Sequence, residues 1–458
     1  MTGEPQPAQY RPEPAILALG DAFYDAVVPA DFPQAILRFR NDRWAAAVGL
    51  EGLSDAEWIR HFARFDPLPD NLPGPLSLRY HGHQFRMYNP DIGDGRGFLF
   101  AQLRDAGGRL LDLGTKGSGR TPWSRFGDGR LTLKGGMREL LATEMLEALG
   151  AETSKTFSLI ETGEALQRND EPSPTRSAVL VRLQHSHIRI GTFQRLATLD
   201  LPDEIRRLTD YCLRYYYGDE SGDPARLLEH VAARAADLAA SYIAAGFVHG
   251  VLNSDNIAIT AQSFDYGPWR WTPYWDGNFT AAYFDHQGLY SFARQPEAIH
   301  WDLVQLAISL RKIAEAEALT EVLEGFPGLF QAALRDALFA RLGIVPRDLA
   351  GDMKLVGAIE EALSRQRVTI DRFFFDWRGG RTQGDYDGFE GVRTLVADHD
   401  AVPGALDHDY WSDPEPCSMH IEEVEAIWSA IDADDDWAPL QAKIAAVRRM
   451  GEAHHANA

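Results

Sequence analysis

Along the chain the apolar positions change period, and the change divides it. Between Leu131 and Gly150, in "LTLKGGMRELLATEMLEALG", Met137, Leu140, Leu141, Met145 and Leu149 recur at helical spacing, which predicts a helix with Gly150 as its C-terminal cap. Around that helix, from about Tyr80 to Thr192, apolar runs broken by Gly and polar turns predict strands. A short helix is expected earlier at "SDAEWIRHFARF", where Ser54 and Glu57 form a capping box. "DPLPDNLPGPLS" (66–77) reads as a Pro/Gly break, and residues 1–15 as a Pro-rich, mobile lead. Beyond about residue 196 the pattern turns helical. "DPARLLEHVAARAADLAASYIAAG" has Asp223 as N-cap and Pro224 in the first turn. Further helices are predicted at "EAIHWDLVQLAISLRKIAEA", "GLFQAALRDALFARL" and "AIEEALSRQRVTIDRFFFDW". The expected division is an N-terminal extension (1–75), a sheet-rich unit (76–195), a helical unit (196–380) and an acidic C-terminal extension (381–458). The fold class is α+β.

Composition narrows the function classes. With 458 residues, 45% apolar and 11% aromatic, the chain can bury a sizeable core. Its formal charge is 45 − 67 = −22, which argues against a nucleic-acid or anionic-membrane partner. Sixteen Asp and Glu against two Arg fall between Arg381 and Leu440, so that segment carries much of the excess; its plain reading is a solvated, partly helical extension. "DADDDW" lacks the spacing of a calcium loop. Two cysteines, Cys212 and Cys417, allow one disulfide at most, and a reduced, cytoplasmic setting is expected. No run of about 18 apolar residues predicts a membrane span, and the start lacks the marks of a signal or transit peptide.

The candidate chemistry lies near the change of period. "GFVHGVLNSDNIAITAQSFDYGPW" (Gly246–Trp269) has the rhythm of a protein-kinase catalytic segment: His249, Asn256 seven residues on, then Asp265-Tyr-Gly. At the position of the catalytic base stands Val251, which cannot accept a proton. A sheet-rich half, then a helical half, with this segment near the join, is the order of a kinase-like bilobal fold. Upstream, "NPDIGDGRGFLFAQL" sets Gly93, Gly95 and Gly97 in a turn before an apolar strand, a phosphate cradle or a plain hairpin. Lys116 ends the next apolar stretch, and the helix after it presents Glu139, the order of the phosphate-gripping Lys and its Glu partner. A second Gly-Asp-Gly-Arg, Gly127–Arg130, sits between them, where ordinary kinases have none. Arg182 and Arg189 suit phosphate oxygens; His185 and His187 lack metal-ligand partners at a useful spacing and read as structural.

These stretches resemble the selenoprotein O family of pseudokinases, through "YHGHQF", "IGDGRG", "LGTKGSGRTPWSRFGDGR", "MREL", "SHIRIG", "GFVHGVLNSDNIAI", "DYGPW" and, as activation segment, "YSFARQPEAIHWDLVQLA". The resemblance, over about residues 16–310, implies a kinase-like fold with N- and C-terminal extensions. It implies that ATP binds flipped and that AMP passes to Ser, Thr or Tyr hydroxyls of protein substrates; some relatives use UTP with manganese. Carried onto this chain, Asp255 is the proton acceptor, and Asn256 and Asp265 hold Mg²⁺ or Mn²⁺. Gly93, Gly95, Arg96, Lys116, Asp128, Gly129, Arg182, Arg189 and Asp265 line the nucleotide, with Glu139 orienting Lys116. A flipped nucleotide brings the α-phosphate forward, so Val251 is tolerable. The family's cysteine-bearing tail is absent from "MGEAHHANA". A conventional phosphotransferase, a manganese-dependent uridylyltransferase and a silent nucleotide-binding scaffold stay open as alternatives.

Overall fold

The computed structural model describes residues 8–169, 171–382 and 384–455. Ten strands precede residue 185: β1 Tyr24–Ala26, β2 Ile36–Arg40, β3 Leu76–Leu78, β4 Gly82–Gln84, β5 Met87–Asn89, β6 Gly97–Arg104, β7 Leu110–Lys116, β8 Leu131–Thr132, β9 Lys155–Leu166 and β10 Thr175–Gln184. A two-stranded ribbon, β11 Phe247–Val248 with β12 Arg270–Trp271, follows later. Eight strands form one antiparallel sheet in the order β1-β3-β6-β7-β10-β9-β2, with β8 on β10. The first 75 residues, set down above as an extension, supply β1 and β2 to that sheet.

The sheet is buried on both faces, and strand parity decides what each residue meets. Along β10, Val179, Val181 and Leu183 join a cluster with Trp58, Phe62, Phe100 and Phe157. That cluster is roofed by α1 Asp42–Ala47 and α2 Asp55–Phe62, the latter with both bonds of the Ser54/Glu57 capping box. Ala178 and Leu180 face the other way, onto Met137, Leu140 and Leu141 of α3 Leu133–Ala148. Gly150 follows its C-cap at φ 83°. Arg182 shares the parity of Ala178 and Leu180, and Lys116 shares that of Leu110, so both cations stand on the α3 side. Register sets Lys116 opposite Leu180 and Arg182 opposite Gly114.

The rest is helical: α4 Ile190–Thr198, α5 Pro202–Cys212, α6 Pro224–Ala245, α7 Gln295–Leu310, α8 Ala316–Leu342, α9 Leu349–Arg365, α10 Ile370–Asp376, α11 Glu390–Val396, α12 Ile421–Asp434 and α13 Ala438–His455. Asp223 caps α6 as expected. "GLFQAALRDALFARL" is only the second half of α8, which begins at Ala316 and runs through Pro327. "AIEEALSRQRVTIDRFFFDW" is two helices, not one. Gln366 leaves the helix at ψ 146° and Thr369 caps a new one through Arg372 N, so apolar spacing continues across a backbone break.

Both ends of the chain depart from expectation. Residues 1–7 of the Pro-rich lead lie outside the described residues; from there the chain runs along β6, with Glu13 N bonded to Gln102 O at 3.0 Å and Arg104 N to Arg11 O at 2.9 Å. The acidic extension is not a solvated appendage. Its helix α13 buries Leu440, Val447 and Met450 and lies against α3, where Arg448 makes a two-pronged ion pair with buried Glu144 at 2.7 and 2.8 Å. Gly451 passes so near that a Cβ there would sit 3.1 Å from Ala148. The acids find distant cations: Glu425 meets Lys134 at 2.7 Å, and Asp435 meets Arg176 at 2.7 Å and Arg38 at 3.1 Å. At its far end, the His454 carbonyl accepts from Arg378, which also bonds the Ala340 carbonyl of α8. The helix therefore straps α3 to the helical part. Cys212 and Cys417 are free thiols. Among the described residues no helix is long and apolar enough to cross a membrane.

Candidate active site

A cavity of about 760 Å³ opens between the sheet and the 249–265 segment. Every candidate residue named from the sequence lines it except Glu139, which stands behind Lys116. Lys116, at the end of β7, is 4% exposed; it donates to Glu139 of α3 and, at 2.7 Å, to Asp265 Oδ1. Arg182, 5% exposed, lies 3.6 Å from the same oxygen. Arg189, 2% exposed, donates to Asp265 Oδ2 at 3.3 Å, to Asp94 at 3.1 Å and to the Asp255 carbonyl at 2.8 Å. Three buried cations thus face three carboxylates, the balance that low-dielectric surroundings require.

Asp265 occupies the left-handed region at φ 62°, which Asp tolerates better than most residues. Burial works to raise its carboxyl, but Lys116, Arg182 and Arg189 together hold it well below the usual carboxylate range. The preceding Phe264 is fully buried, and the Arg182 and Arg189 guanidiniums lie over its ring at 5.4 and 4.7 Å; Arg189 also covers Tyr80 at 4.4 Å. His249 is structural, its Nε2 bonded to the Phe264 carbonyl at 2.9 Å, which ties the two halves of the segment together.

Asp255 behaves in the opposite way. It is 7% exposed, in the 3₁₀ turn Ser254–Asn256, and its buried Oδ1 has no hydrogen-bond partner among the described residues. Burial pushes its carboxyl up to about 7, against the pull of Arg189. A carboxylate so placed exchanges its proton near neutral pH, the condition for general-base work. Asn256 donates Nδ2 to the Val251 carbonyl at 3.0 Å, which leaves the amide oxygen as the atom available to a ligand. Asp255, Asn256 and Asp265 offer only hard oxygen donors, and these fit Mg²⁺ or Mn²⁺. Among the described residues no group of three His, Cys, Asp or Glu stands at metal-holding distance. The fit is therefore to an ion shared with phosphate oxygens, as Mg²⁺ commonly is.

The glycine turns owe their residues to packing as much as to any ligand. A Cβ at Gly93 would sit 2.5 Å from Trp123, and one at Gly97 2.5 Å from the Thr115 carbonyl. Arg96 lends its carbonyl to Gly117 N at 2.7 Å and is exposed at the mouth. Asp128 builds its own turn, accepting from Arg130 N at 2.9 Å and from Arg168 at 2.8 Å, and Gly129 at φ 73° has Gly119 O where a Cβ would go. His187 sits between Asp112 and Arg182, and its ring fills the space over Gly114.

Sequence reasoning passed over three contributors. Asp94 holds Arg189 and, through its carbonyl, Thr121 Oγ1 at 2.6 Å. Gly82 gives Asp255 its room, since a Cβ there would lie 2.8 Å from its carboxyl. Phe264 carries the two arginines. Gly82 and Asp94 lie inside "YHGHQF" and "IGDGRG", so the motifs marked them, but only contacts reveal what they do.

Comparison with known proteins gives the family. The family model described as protein adenylyltransferase SelO matches residues 7–392. The protein nucleotidyltransferase YdiU of Synechocystis sp. is 41% identical over 467 residues, covering 93% of this chain and 96% of the relative. Its namesake in Synechococcus elongatus is 41% identical over 475 residues, 96% and 95% of the two chains, and that of Pseudomonas putida 38% identical over 303 residues, 66% and 62%. The chain belongs to the SelO family of protein nucleotidyltransferases.

Proposed function

We propose that this nucleotidyltransferase is a protein adenylyltransferase with a kinase-like bilobal fold, moving AMP from ATP to Ser, Thr or Tyr hydroxyls of proteins. The observation that carries this reading is the pairing of a buried cationic floor with a carboxylate at Asp255 and an apolar residue at Val251. In the proposed reaction the triphosphate lies along Lys116, Arg182 and Arg189, with Arg96 and the Gly93–Gly95 and Asp128–Gly129 turns around it. Asp255 takes the proton of the acceptor hydroxyl. The acceptor oxygen then bonds the α-phosphorus, the bond from that phosphorus to the bridging oxygen breaks, and pyrophosphate leaves. Its growing negative charge is met by the three buried cations, which need no reorganisation at that moment. Asn256 and Asp265 would hold Mg²⁺ or Mn²⁺, which supplies further charge compensation on the phosphates. Glu139 keeps Lys116 aimed.

The names of the relatives leave the nucleotide open, so UTP is a second donor to test. Incubation with ATP labelled at the α- or at the γ-phosphate tests the reading directly. Label is expected on protein from α-ATP only, including on the enzyme itself, and only with divalent metal present. Label arriving only from γ-ATP would overturn it and favour a phosphotransferase.

A further inference from the structure

We propose that Phe126 is the residue that stacks on the base of the bound nucleotide; this rests on the nucleotide reading above. Phe126 is fully exposed, yet it lines the same cavity as Lys116 and Asp265. Among the described residues its ring takes part in no aromatic or cation–π pair. The other aromatic rings of that wall are committed. Trp123 packs on Gly93 and bonds Asp25 at 3.1 Å, and Tyr80 lies under Arg189.

The turn that presents Phe126 is stitched down. Thr121 Oγ1 donates to Asp94 O at 2.6 Å, Ser124 Oγ to Gly95 O at 2.5 Å, and Gly127 N to Ser124 O at 2.7 Å. Arg168 fixes Asp128 beyond it at 2.8 Å. At the tip, Arg125 is held at φ 52°, a conformation a non-glycine residue adopts rarely and which concentrates at functional sites. The fixed turn sets the backbone of Phe126 in advance, so stacking has only the ring's own torsions left to order.

Charge then orients the ligand. The cations at the deep end are buried and attract the triphosphate. Arg125 and Phe126 line the same cavity as Asp255. The turn therefore borders the cavity that Asp255 shares. A nucleotide with its outer phosphates on Lys116, Arg182 and Arg189 and its α-phosphate near Asp255 extends its base toward that turn, where Phe126 is the ring left uncovered. Stacking is indifferent to base identity but grows with ring area. The site should therefore favour purines by a modest factor.

The test uses the full-length chain and titration calorimetry with two probes, ATP and inorganic tripolyphosphate, each with Mg²⁺. Phe126→Ala should raise the Kd for ATP about 5- to 150-fold, the range of one base–aromatic stack. It should leave the Kd for tripolyphosphate unchanged, and Phe126→Trp should restore ATP affinity. In transfer assays the loss should fall on KM for ATP more than on kcat, and should be smaller for UTP. Unchanged ATP affinity would overturn the proposal. So would equal losses for ATP and tripolyphosphate, which indicate a disturbed turn, or a change confined to KM for the protein acceptor, which indicates substrate docking. Failure of α-label transfer by the unmodified protein would sink the adenylyl reading while leaving the Kd comparison intact.

Discussion

Replacing Asp255 by Asn should stabilise the protein while disabling it, and the stabilisation should grow with pH. In the folded chain the Asp255 carboxyl rises from its ordinary 3.8 to about 7 because burial disfavours its charged form. The folded state therefore binds this proton more tightly than the unfolded chain does. The stability this contributes is fully present below about pH 4 and is lost as pH rises through about 7. Three pKa units correspond to roughly 4 kcal/mol, the cost above pH 7 of holding an ionised carboxylate whose Oδ1 has no partner. Asn keeps the shape and carries no charge. At pH 8 the variant should exceed the parent by up to about 4 kcal/mol, and near pH 4 the two should agree. With an unfolding entropy of about 2.1 cal/mol/K per residue, a chain this long gains on the order of 1 °C per kcal/mol. The assay is a pair of thermal melts at intervals from pH 4.5 to 8.5. Transfer by the parent should rise with pH through about 7, and the variant should lose roughly 10²–10⁴-fold, the contribution of a positioned general base. A Tm difference that is flat or shrinks with rising pH would refute the reasoning about Asp255, whatever happens to activity.

Two further substitutions probe the same cavity. Asp265→Asn removes the carboxylate that Lys116, Arg182 and Arg189 share. It should abolish transfer and lower stability by about 3–5 kcal/mol, as expected for breaking a buried pair, and tripolyphosphate without metal should bind more tightly than to the parent; weaker metal-free binding by calorimetry would contradict this. Val251→Asp introduces a carboxylate beside Asp255 and Asp265 with no hydroxyl to serve. It should give no γ-phosphoryl transfer and slower α-transfer, and a gain of γ-label would show that the missing base is a lost kinase residue.

Much of the architecture was legible because its causes are local. The capping box at Ser54, the Asp223–Pro224 helix start and the apolar stripe of α3 depend on residues within four positions of one another. The Lys116–Glu139 pair was legible too, since a strand end and the next helix fix its order. What stayed hidden depends on partners far away in sequence. Nothing near Asp435 announces Arg38 and Arg176, and nothing near Gly82 announces the carboxyl it must clear. The acidic stretch read as solvated because its compensating cations lie in other parts of the chain. The break at 366–369 was missed because Ile359, Leu363, Ile370 and Phe374 keep helical spacing while the backbone does not.

The strap between α13 and α3 has a consequence for the order in which the chain can fold during synthesis. Arg448 and Glu144 are 304 positions apart, so the face of α3 around Glu144 and Ala148 is covered by residues made long after it. The sheet and α3 emerge from the ribosome early, but that face has no cover until α13 arrives. At about 5–20 residues per second, the wait is on the order of 15–60 seconds. Through that interval the N-terminal half is an unfinished domain with a buried-type acid and an apolar face in water, the state that chaperones recognise. Closure of so long a loop also makes α13 docking a late event in refolding from denaturant, after the sheet has formed.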